Sequence, residues 1–231
     1  MRRNCDKIGW FCCKKGVFGY FAQVNFHLYH YAGNNPVKYT DPDGRVLYIS
    51  GDEDYTTGVL KNLQKLTNDK VQIDSEGKVT VLERKGFWGF VYNLFHKSKT
   101  AGTGLLRELC DDSNKKCTIM QDLGSEPGEY NYIRDEGSPN ASNGIGIDCA
   151  ISFNPNVDYS KSLLRSHGIL TKNSTVLAHE LVHAYYDITG GTSLDYEDQA
   201  VGLNDYSNAP FSENKIRLEQ ESRKNNYRSF Y

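Results

Sequence analysis

The sequence predicts an α+β fold with a small mixed or antiparallel sheet. Three observations lead to this prediction. Short apolar strands and a hairpin pattern dominate the chain up to residue 153, helical patterns dominate after residue 174, and no internal repeat is visible. The 231 residues are enough for one sizeable hydrophobic core or two small ones.

From residue 46 the chain begins with a predicted strand, a helix and a hairpin. Val46 to Ser50 is a short apolar strand, and the acidic turn at Asp52 begins a helix that extends to about Thr67. Apolar residues alternate from Val71 to Glu83 around Ser75-Glu76-Gly77, which predicts a β-hairpin with glycine in its turn. The aromatic stretch from Gly86 to Phe95 predicts a buried helix or strand.

Between residues 105 and 153 the predicted elements are short, and after residue 174 they are helices. We expect a short helix at Leu105 to Cys110, a strand at Lys116 to Asp122, a functional or mobile loop from Gly124 to Asn143, and an apolar strand from Ile145 to Phe153. Three helices are predicted after that, at Ser174 to about Ile188, Asp195 to Leu203 and Ser212 to Arg223, with Asp195 and Ser212 as N-caps.

Charge and hydropathy exclude several classes of partner. Lys and Arg total 27 against 29 Asp and Glu, and no basic run exceeds the pair Lys14-Lys15, so nucleic acid is not expected. No stretch approaches the roughly 20 apolar residues that span a bilayer. The apolar part of the N-terminus is interrupted by Lys14 and Lys15, so a classical secretory signal is not expected either.

The six cysteines do not form a recognisable framework. They lie at positions 5, 12, 13, 110, 117 and 149, and no CxxC pair is present. Scattered thiols are the expected state, with a Cys110–Cys117 bridge as the alternative.

The motif that carries chemistry is HExxH, at His179, Glu180 and His183, with uncharged residues on both sides. Positions i and i+4 share one face of a helix, so the two imidazoles can converge on one metal ion, and zinc suits neutral imidazole best. Glu180 lies on the neighbouring flank, where a carboxylate can take a proton from water and pass it to a leaving amine. We expect a zinc-dependent hydrolase.

A catalytic zinc site needs a third protein ligand. Gly190-Gly191 ends the HExxH helix, and an acidic cluster begins the next one. Glu197 is the first choice, because small apolar residues follow it and allow its helix to pack close to the metal. Asp195 is the rival, although it is better placed to cap the helix, and Glu213 is a more distant candidate.

Two further features fit a peptidase. The strand from Ile145 to Phe153 precedes the HExxH helix, where an edge strand could pair with an extended substrate. Near the C-terminus, Arg228 and Tyr231 could supply a guanidinium and a phenol to the oxyanion of a tetrahedral intermediate, which makes them candidate catalytic residues.

The segment from Leu28 to Arg45, LYHYAGNNPVKYTDPDGR, closely resembles the closing segment of the RHS-repeat-associated core, which precedes toxin domains in bacterial polymorphic toxins. The resemblance covers about 18 residues, and the repeat shell that normally comes before it is absent from this sequence. We therefore interpret residues 1–45 as a remnant of such a core and residues 46–231 as the effector domain.

From about residue 145 onward the chain resembles a family of effector zinc metallopeptidases typified by type III secreted effectors. The shared parts are Phe153-Asn154-Pro155, HELVHA at His179 to Ala184, the string from Glu197 to Gly202, SENKIR at Ser212 to Arg217, and RxxY at Arg228 to Tyr231. The resemblance implies a zincin-like fold whose helical C-terminal half carries the active site, with His179, His183 and Glu197 as metal ligands and Glu180 as general base. It also implies structural or substrate-orienting roles for Glu213, Asn214 and Arg217.

The hypothesis from sequence is a zinc endopeptidase that is secreted or delivered into a target cell and hydrolyses a protein in its cytoplasm, with a cognate immunity protein as a second expected partner. Two alternatives stay open. One is a surface or binding tip of the RHS type in which the histidines hold a structural zinc ion, and the other is a zinc amidase that acts on peptidoglycan.

Overall fold

The computed structural model describes residues 46–110, 115–121, 132–133, 139–159, 169, 171–220 and 227–229. The predicted RHS remnant, the C-terminal Tyr231 and most of the predicted loop from 124 to 143 lie outside these residues.

Helices and two small sheets alternate along the described chain. The strands are β1 (Val46–Ser50), β2 (Lys70–Ile73), β3 (Val79–Leu82), β4 (Lys116–Met120), β5 (Tyr132–Ile133) and β6 (Cys149–Ser152). The helices are α1 (Glu53–Leu66), α2 (Gly86–Phe95), α3 (Thr100–Cys110), α4 (Asn173–Thr189), α5 (Tyr196–Val201) and α6 (Glu213–Gln220). The mixture of helices and small sheets agrees with the predicted fold class.

One sheet has four strands in the order β1-β4-β6-β5. The pairs β1-β4 and β4-β6 are parallel, and β5 runs antiparallel to β6. Ile49, Ile119 and Ile151 follow one another across the three parallel strands and are almost completely buried. This face of the sheet therefore belongs to the hydrophobic core.

The local sequence explains the elements of the first half. Asp52 caps α1, with its carboxylate accepting a hydrogen bond from the amide of Tyr55 at 2.8 Å. The hairpin β2-β3 is antiparallel as predicted, and Gly77 adopts φ 88° in its turn. The amide of Ile49 donates to Gly77 O at 2.8 Å, so the hairpin is tied to the edge of the larger sheet.

Three expectations from the sequence are wrong. The strand that contains Ile151 is not an edge strand, because β4 pairs with one side of it and β5 with the other. The predicted loop is interrupted by β5, a two-residue strand that is too short for sequence periodicity to reveal. The expected state of the cysteines is confirmed for the described ones, because Cys110, Cys117 and Cys149 are free thiols, and Cys117 lies opposite Cys149 across β4 and β6.

The third wrong expectation concerns the burial of α2. The segment is a helix, but Phe87, Leu94 and Phe95 are 72%, 67% and 79% exposed. Aromatic content alone therefore did not indicate burial in this helix. None of the described helices is long and apolar enough to cross a membrane.

Candidate metal centre

Helix α4 carries the HExxH residues through the interior. It packs against α1, α3, α5, α6 and β6, and most of its side chains between Ser174 and Ala184 are buried. The helix ends at Gly190, which adopts φ 71° and donates its amide to Asp187 O at 3.2 Å. A Cβ atom at Gly190 would lie 2.6 Å from the amide nitrogen of Ile145, so glycine is required by space as well as by conformation.

The turn after α4 directs α5 back toward the two histidines. Gln199 fixes this turn, because its side chain donates to Gly191 O at 2.9 Å and accepts from the amide of Ser193 at 3.1 Å. Ala200 and Val201 anchor α5 in the interior with no exposed surface. These contacts place the carboxylate of Glu197 beside α4.

His179, His183 and Glu197 converge as the sequence predicted, and together they could hold a metal ion. The two Nε2 atoms are 3.1 Å apart, and Glu197 Oε2 lies 3.3 Å from Nε2 of His179 and 3.4 Å from Nε2 of His183. A tetrahedral ion with bonds of about 2.0–2.1 Å requires donor atoms about 3.3 Å apart. The three distances between the donor atoms of His179, His183 and Glu197 are close to this value.

The hydrogen bonds around this triangle support the same conclusion. Glu197 Oε2 is buried and makes no hydrogen bond of acceptable geometry with the described residues, despite its closeness to both imidazoles. A buried carboxylate oxygen without such a partner is costly. A cation between the three donor atoms would remove that cost, so the residues fit a metal ion.

Glu213 lies on the opposite side of His179. Its Oε2 accepts from Nδ1 of His179 at 2.8 Å, which leaves Nε2 of that imidazole facing His183 and Glu197. This is the arrangement in which a carboxylate fixes the tautomer and direction of a metal-binding histidine. Glu213 therefore contacts His179 from the side away from the triangle and does not belong to the three residues that could hold a metal ion.

Two arginines hold Glu213 in turn. Arg217 Nε donates to Glu213 Oε1 at 2.5 Å, and Arg228 Nη1 donates to Glu213 Oε2 at 3.1 Å. Asn214 fixes the backbone of Arg228 through two hydrogen bonds of 2.8 Å, one from its Nδ2 to Arg228 O and one from Arg228 N to its Oδ1. The contact of Arg228 with Glu213 favours a positioning role for this arginine over the oxyanion role expected from the sequence.

Burial and neighbouring charges shift the pKa values in this cluster. Burial raises the pKa of Glu180 to about 7. The nearby carboxylates of Glu197 and Glu213 act in the same direction, whereas His179 opposes the shift. Burial alone would raise the pKa of Glu213, but His179 and the two arginines outweigh it and lower that pKa to about 2. The Glu213 side chain is therefore an anion, whereas Glu180 can gain or lose a proton near neutral pH.

The imidazoles respond differently to the same environment. Burial acts to lower the pKa of His179, but the carboxylates of Glu197 and Glu213 outweigh it and raise that pKa to about 10. Burial lowers the pKa of His183, and the neighbouring His179 acts in the same direction. Burial would raise the pKa of Glu197, yet the two histidines lower it.

The other acidic candidate, Asp195, is exposed and does not belong to the group of described residues that could hold a metal ion. It occupies the N-cap position of α5, but its side chain makes no capping hydrogen bond with the described residues. Tyr196 was not identified from the sequence. Its ring lies 5.7 Å from that of His183, centroid to centroid, and its position just before Glu197 was the available signal.

Comparison with known proteins identifies the family. The family model Peptidase_M91, described as an effector protein, matches residues 94–229, which is more than half of the chain. The chain belongs to this effector peptidase family. The matched range includes all three residues of the candidate metal centre as well as Glu180 and Glu213. No curated protein and no solved structure gives a significant match.

Proposed function

We propose that this protein is a zinc-dependent endopeptidase of zincin type that acts as an effector on a protein of a target cell. The observation that carries the proposal is the triangle formed by His179, His183 and Glu197, with Glu180 buried beside it. Two histidines and one carboxylate are a ligand set of catalytic zinc sites, which leave one position open, whereas structural sites use four protein ligands. This difference favours a catalytic centre over a structural one.

In the proposed mechanism, each described residue has one task. Zinc, when bound, would supply Lewis acidity to the scissile carbonyl group and to water. The carboxylate of Glu180 takes a proton from the attacking water and later gives it to the leaving amide nitrogen. Burial raises the pKa of Glu180 toward neutrality, which favours a group that both accepts and donates a proton.

The remaining residues orient the centre. Glu213 holds the Nδ1 proton of His179 and thereby keeps Nε2 available as a ligand atom. Arg217 and Arg228 keep the Glu213 carboxylate in that position. Gln199 acts further away, by holding the turn from which α5 presents Glu197.

The effector part of the proposal rests on the family and on the resemblance of residues 28–45 to an RHS-associated core. We propose that residues 1–45 are the remnant of such a core, that the peptidase is delivered into a target cell and acts in its cytoplasm, and that the producing cell holds a cognate immunity protein.

The decisive experiment compares the parent protein with Glu180→Gln. Both are loaded with zinc, analysed for metal content and incubated with a peptide library prepared from cell lysate, and new N-termini are identified by mass spectrometry. We expect equal zinc content and a rate reduced by about 10²–10⁴ in the variant, because only proton transfer is lost. Cleavage at the parental rate by zinc-loaded Glu180→Gln would contradict the mechanism. Activity of the parent that survives complete removal of zinc would contradict the metal dependence.

A further inference from the structure

Helix α2 carries an exposed apolar face that the proposed function does not use. Phe87, Leu94 and Phe95 are largely exposed, and Val91 is half-buried. These four residues have the spacing i, i+4, i+7 and i+8, which places them on one side of the helix. Exposed apolar side chains that are grouped in this way mark a surface of interaction with a protein or a membrane.

The opposite side of α2 faces the rest of the protein. Gly89 is buried, and a Cβ atom at this position would overlap the carbonyl oxygen of Arg84. The ring of Tyr92 stacks on the ring of His96 at 3.7 Å between centroids, and the guanidinium of Arg84 lies 4.4 Å from the centroid of Tyr92. These contacts occupy the side of the helix that lies away from the exposed apolar face.

Asn68 holds the chain at both ends of α2. Its carbonyl oxygen accepts from Arg84 Nε at 2.7 Å, before the helix, and its Nδ2 donates to Lys97 O at 3.0 Å, after the helix. One residue outside the helix therefore fixes both flanks, and the apolar face keeps a defined direction.

Basic residues lie at both ends of α2, whereas the helix itself contains no charged residue. Lys85 precedes it, Lys97 follows it, and both are exposed. Lys97 Nζ donates to the carbonyl oxygen of Leu218, a neutral group that leaves the positive charge in place. Lys85 Nζ lies 3.6 Å from Glu83 Oε2, but both side chains are mostly exposed, so this pair is weak. The apolar face is thus bordered by positive charge in a chain whose net charge is -2.

These charges distinguish between the partners that an apolar face could bind. A second copy of the chain docked through the same face would bring lysines close to lysines, which is unfavourable. An anionic membrane instead offers an apolar layer directly beneath a layer of negative charge. An apolar helix face that lies parallel to the membrane can enter the first layer while lysines at its ends reach the second.

We propose that α2 binds the surface of an anionic lipid membrane, with Phe87, Leu94 and Phe95 inserted among the acyl chains and with Lys85 and Lys97 in contact with the lipid phosphates. The helix lies in the plane of the membrane surface and does not cross it. This contact would hold the chain at a membrane of the cell in which it acts.

Co-flotation of the full chain with lipid vesicles tests the proposal. One set of vesicles contains phosphatidylcholine and phosphatidylserine, and the other contains phosphatidylcholine alone. A chelator is present throughout, so that a metal ion at His179 and His183 cannot link the protein to the anionic lipid. We expect binding to the mixed vesicles that weakens as salt is added, and much weaker binding to phosphatidylcholine.

Two double variants separate the apolar and the charged contributions. Leu94→Ser combined with Phe95→Ser should weaken vesicle binding at least about 30-fold, and it should melt like the parent because both side chains are exposed. Lys85→Gln combined with Lys97→Gln should weaken binding about 20- to 30-fold, since each lysine near an anionic surface contributes about fivefold.

Matched controls place the same changes elsewhere on the surface. Leu194→Ser alters an apolar side chain that is almost completely exposed and lies outside α2, and Lys61→Gln combined with Lys172→Gln removes two exposed lysines from other helical segments. Both controls should bind vesicles within about twofold of the parent, because insertion of α2 does not involve them.

Tryptophan fluorescence reports whether α2 itself enters the membrane. The chain has two tryptophans, Trp10 and Trp88, and Trp88 belongs to α2. In a Trp10→Phe variant, vesicles that contain brominated acyl chains should therefore quench the remaining emission, whereas brominated lipid should have no effect once Leu94→Ser and Phe95→Ser are added.

The proposal is overturned if the chain does not bind the mixed vesicles, or if it binds phosphatidylcholine alone equally well. It is also overturned if both double variants bind like the parent, or if brominated lipid leaves the emission of Trp88 in the bound protein unchanged. Self-association of the parent without lipid that Leu94→Ser and Phe95→Ser abolish would assign the face to a second copy. None of these measurements uses peptidase activity, so the result is independent of the proposed function.

Discussion

Helices α1 and α6 pack against the same helix, α4, but the side chains that they bury differ in polarity. The buried face of α1 is mainly apolar and includes Val59, Leu63 and Leu66. The buried face of α6 includes Glu213 and Arg217, which are 2% and 3% exposed. The two helices thus support the HExxH helix by different physical means.

The difference separates support of the fold from support of the site. Apolar burial by α1 is non-directional, so it holds α4 in the core without selecting the direction of any side chain. A buried carboxylate costs free energy unless it is paired, but its hydrogen bond to Nδ1 of His179 has a direction. We infer that α6 retains buried charge because the centre needs an oriented imidazole.

The largest expected effect follows from removal of the buried carboxylate. Glu213→Ala leaves Arg217 and Arg228 with no anion between them, and we expect a loss of about 4 kcal/mol in the free energy of unfolding. Urea denaturation followed by circular dichroism measures it. The control is Glu219→Ala on the same helix, whose carboxylate accepts from the amide of Ala101 at 2.6 Å. Loss of this cap should cost only about 1 kcal/mol, and equal losses in the two variants would contradict the comparison.

The matched change in α1 is Leu63→Ala. Leu63 is completely buried, and its truncation should cost about 3 kcal/mol through lost burial and a cavity. The zinc affinity of the folded variant should equal that of the parent, since α1 contributes no group to the centre. Competition with a chromogenic chelator measures the affinity. A tenfold weaker affinity in Leu63→Ala would show that apolar support also sets the geometry of the metal site.

The sequence predicted the parts of the molecule that depend on local patterns. The i, i+4 spacing placed His179 and His183 on one face of α4, and the short apolar helix after Gly190-Gly191 identified Glu197 as their neighbour. The strand β1, the cap of α1 and the hairpin also follow from residues close together in the chain. In each case the contacts that determine the structure join residues that are close together in the sequence.

The parts that were missed depend on distant contacts. Parallel pairing of β1 with β4 joins residues 70 positions apart, such as Val46 and Lys116, and no local pattern specifies it. Glu213 and His179 are separated by 34 positions. The sequence offered Glu213 as a distant candidate ligand, and the family resemblance implied a structural or substrate-orienting role for it. Only the fold shows that its carboxylate reaches Nδ1 of His179 rather than Nε2.

A smaller effect tests the directional role of Glu213. Glu213→Gln keeps the shape of the side chain and an acceptor for Nδ1 of His179 but removes the charge. We expect zinc affinity to fall about 10- to 100-fold, which is typical when a hydrogen-bond partner of a metal ligand is changed. The same chelator competition measures it, with Glu219→Gln as a control of unchanged affinity. An unaltered affinity in Glu213→Gln would show that the buried charge serves the fold and not the centre.

The smallest effect is expected at the exposed acid of α5. Asp195 is the N-cap residue but makes no capping hydrogen bond with the described residues, so Asp195→Ala should change the free energy of unfolding by no more than about 0.5 kcal/mol. Zinc content measured by elemental analysis should match the parent, whereas Glu197→Ala should lose the metal, because Glu197 supplies the third donor atom of the triangle. The two acids are separated by one residue, so a difference between the variants reports the position of the carboxylate and not the charge of the helix. Loss of zinc in Asp195→Ala with retention in Glu197→Ala would reverse the ligand assignment and would require α5 to rotate in the metal-bound protein.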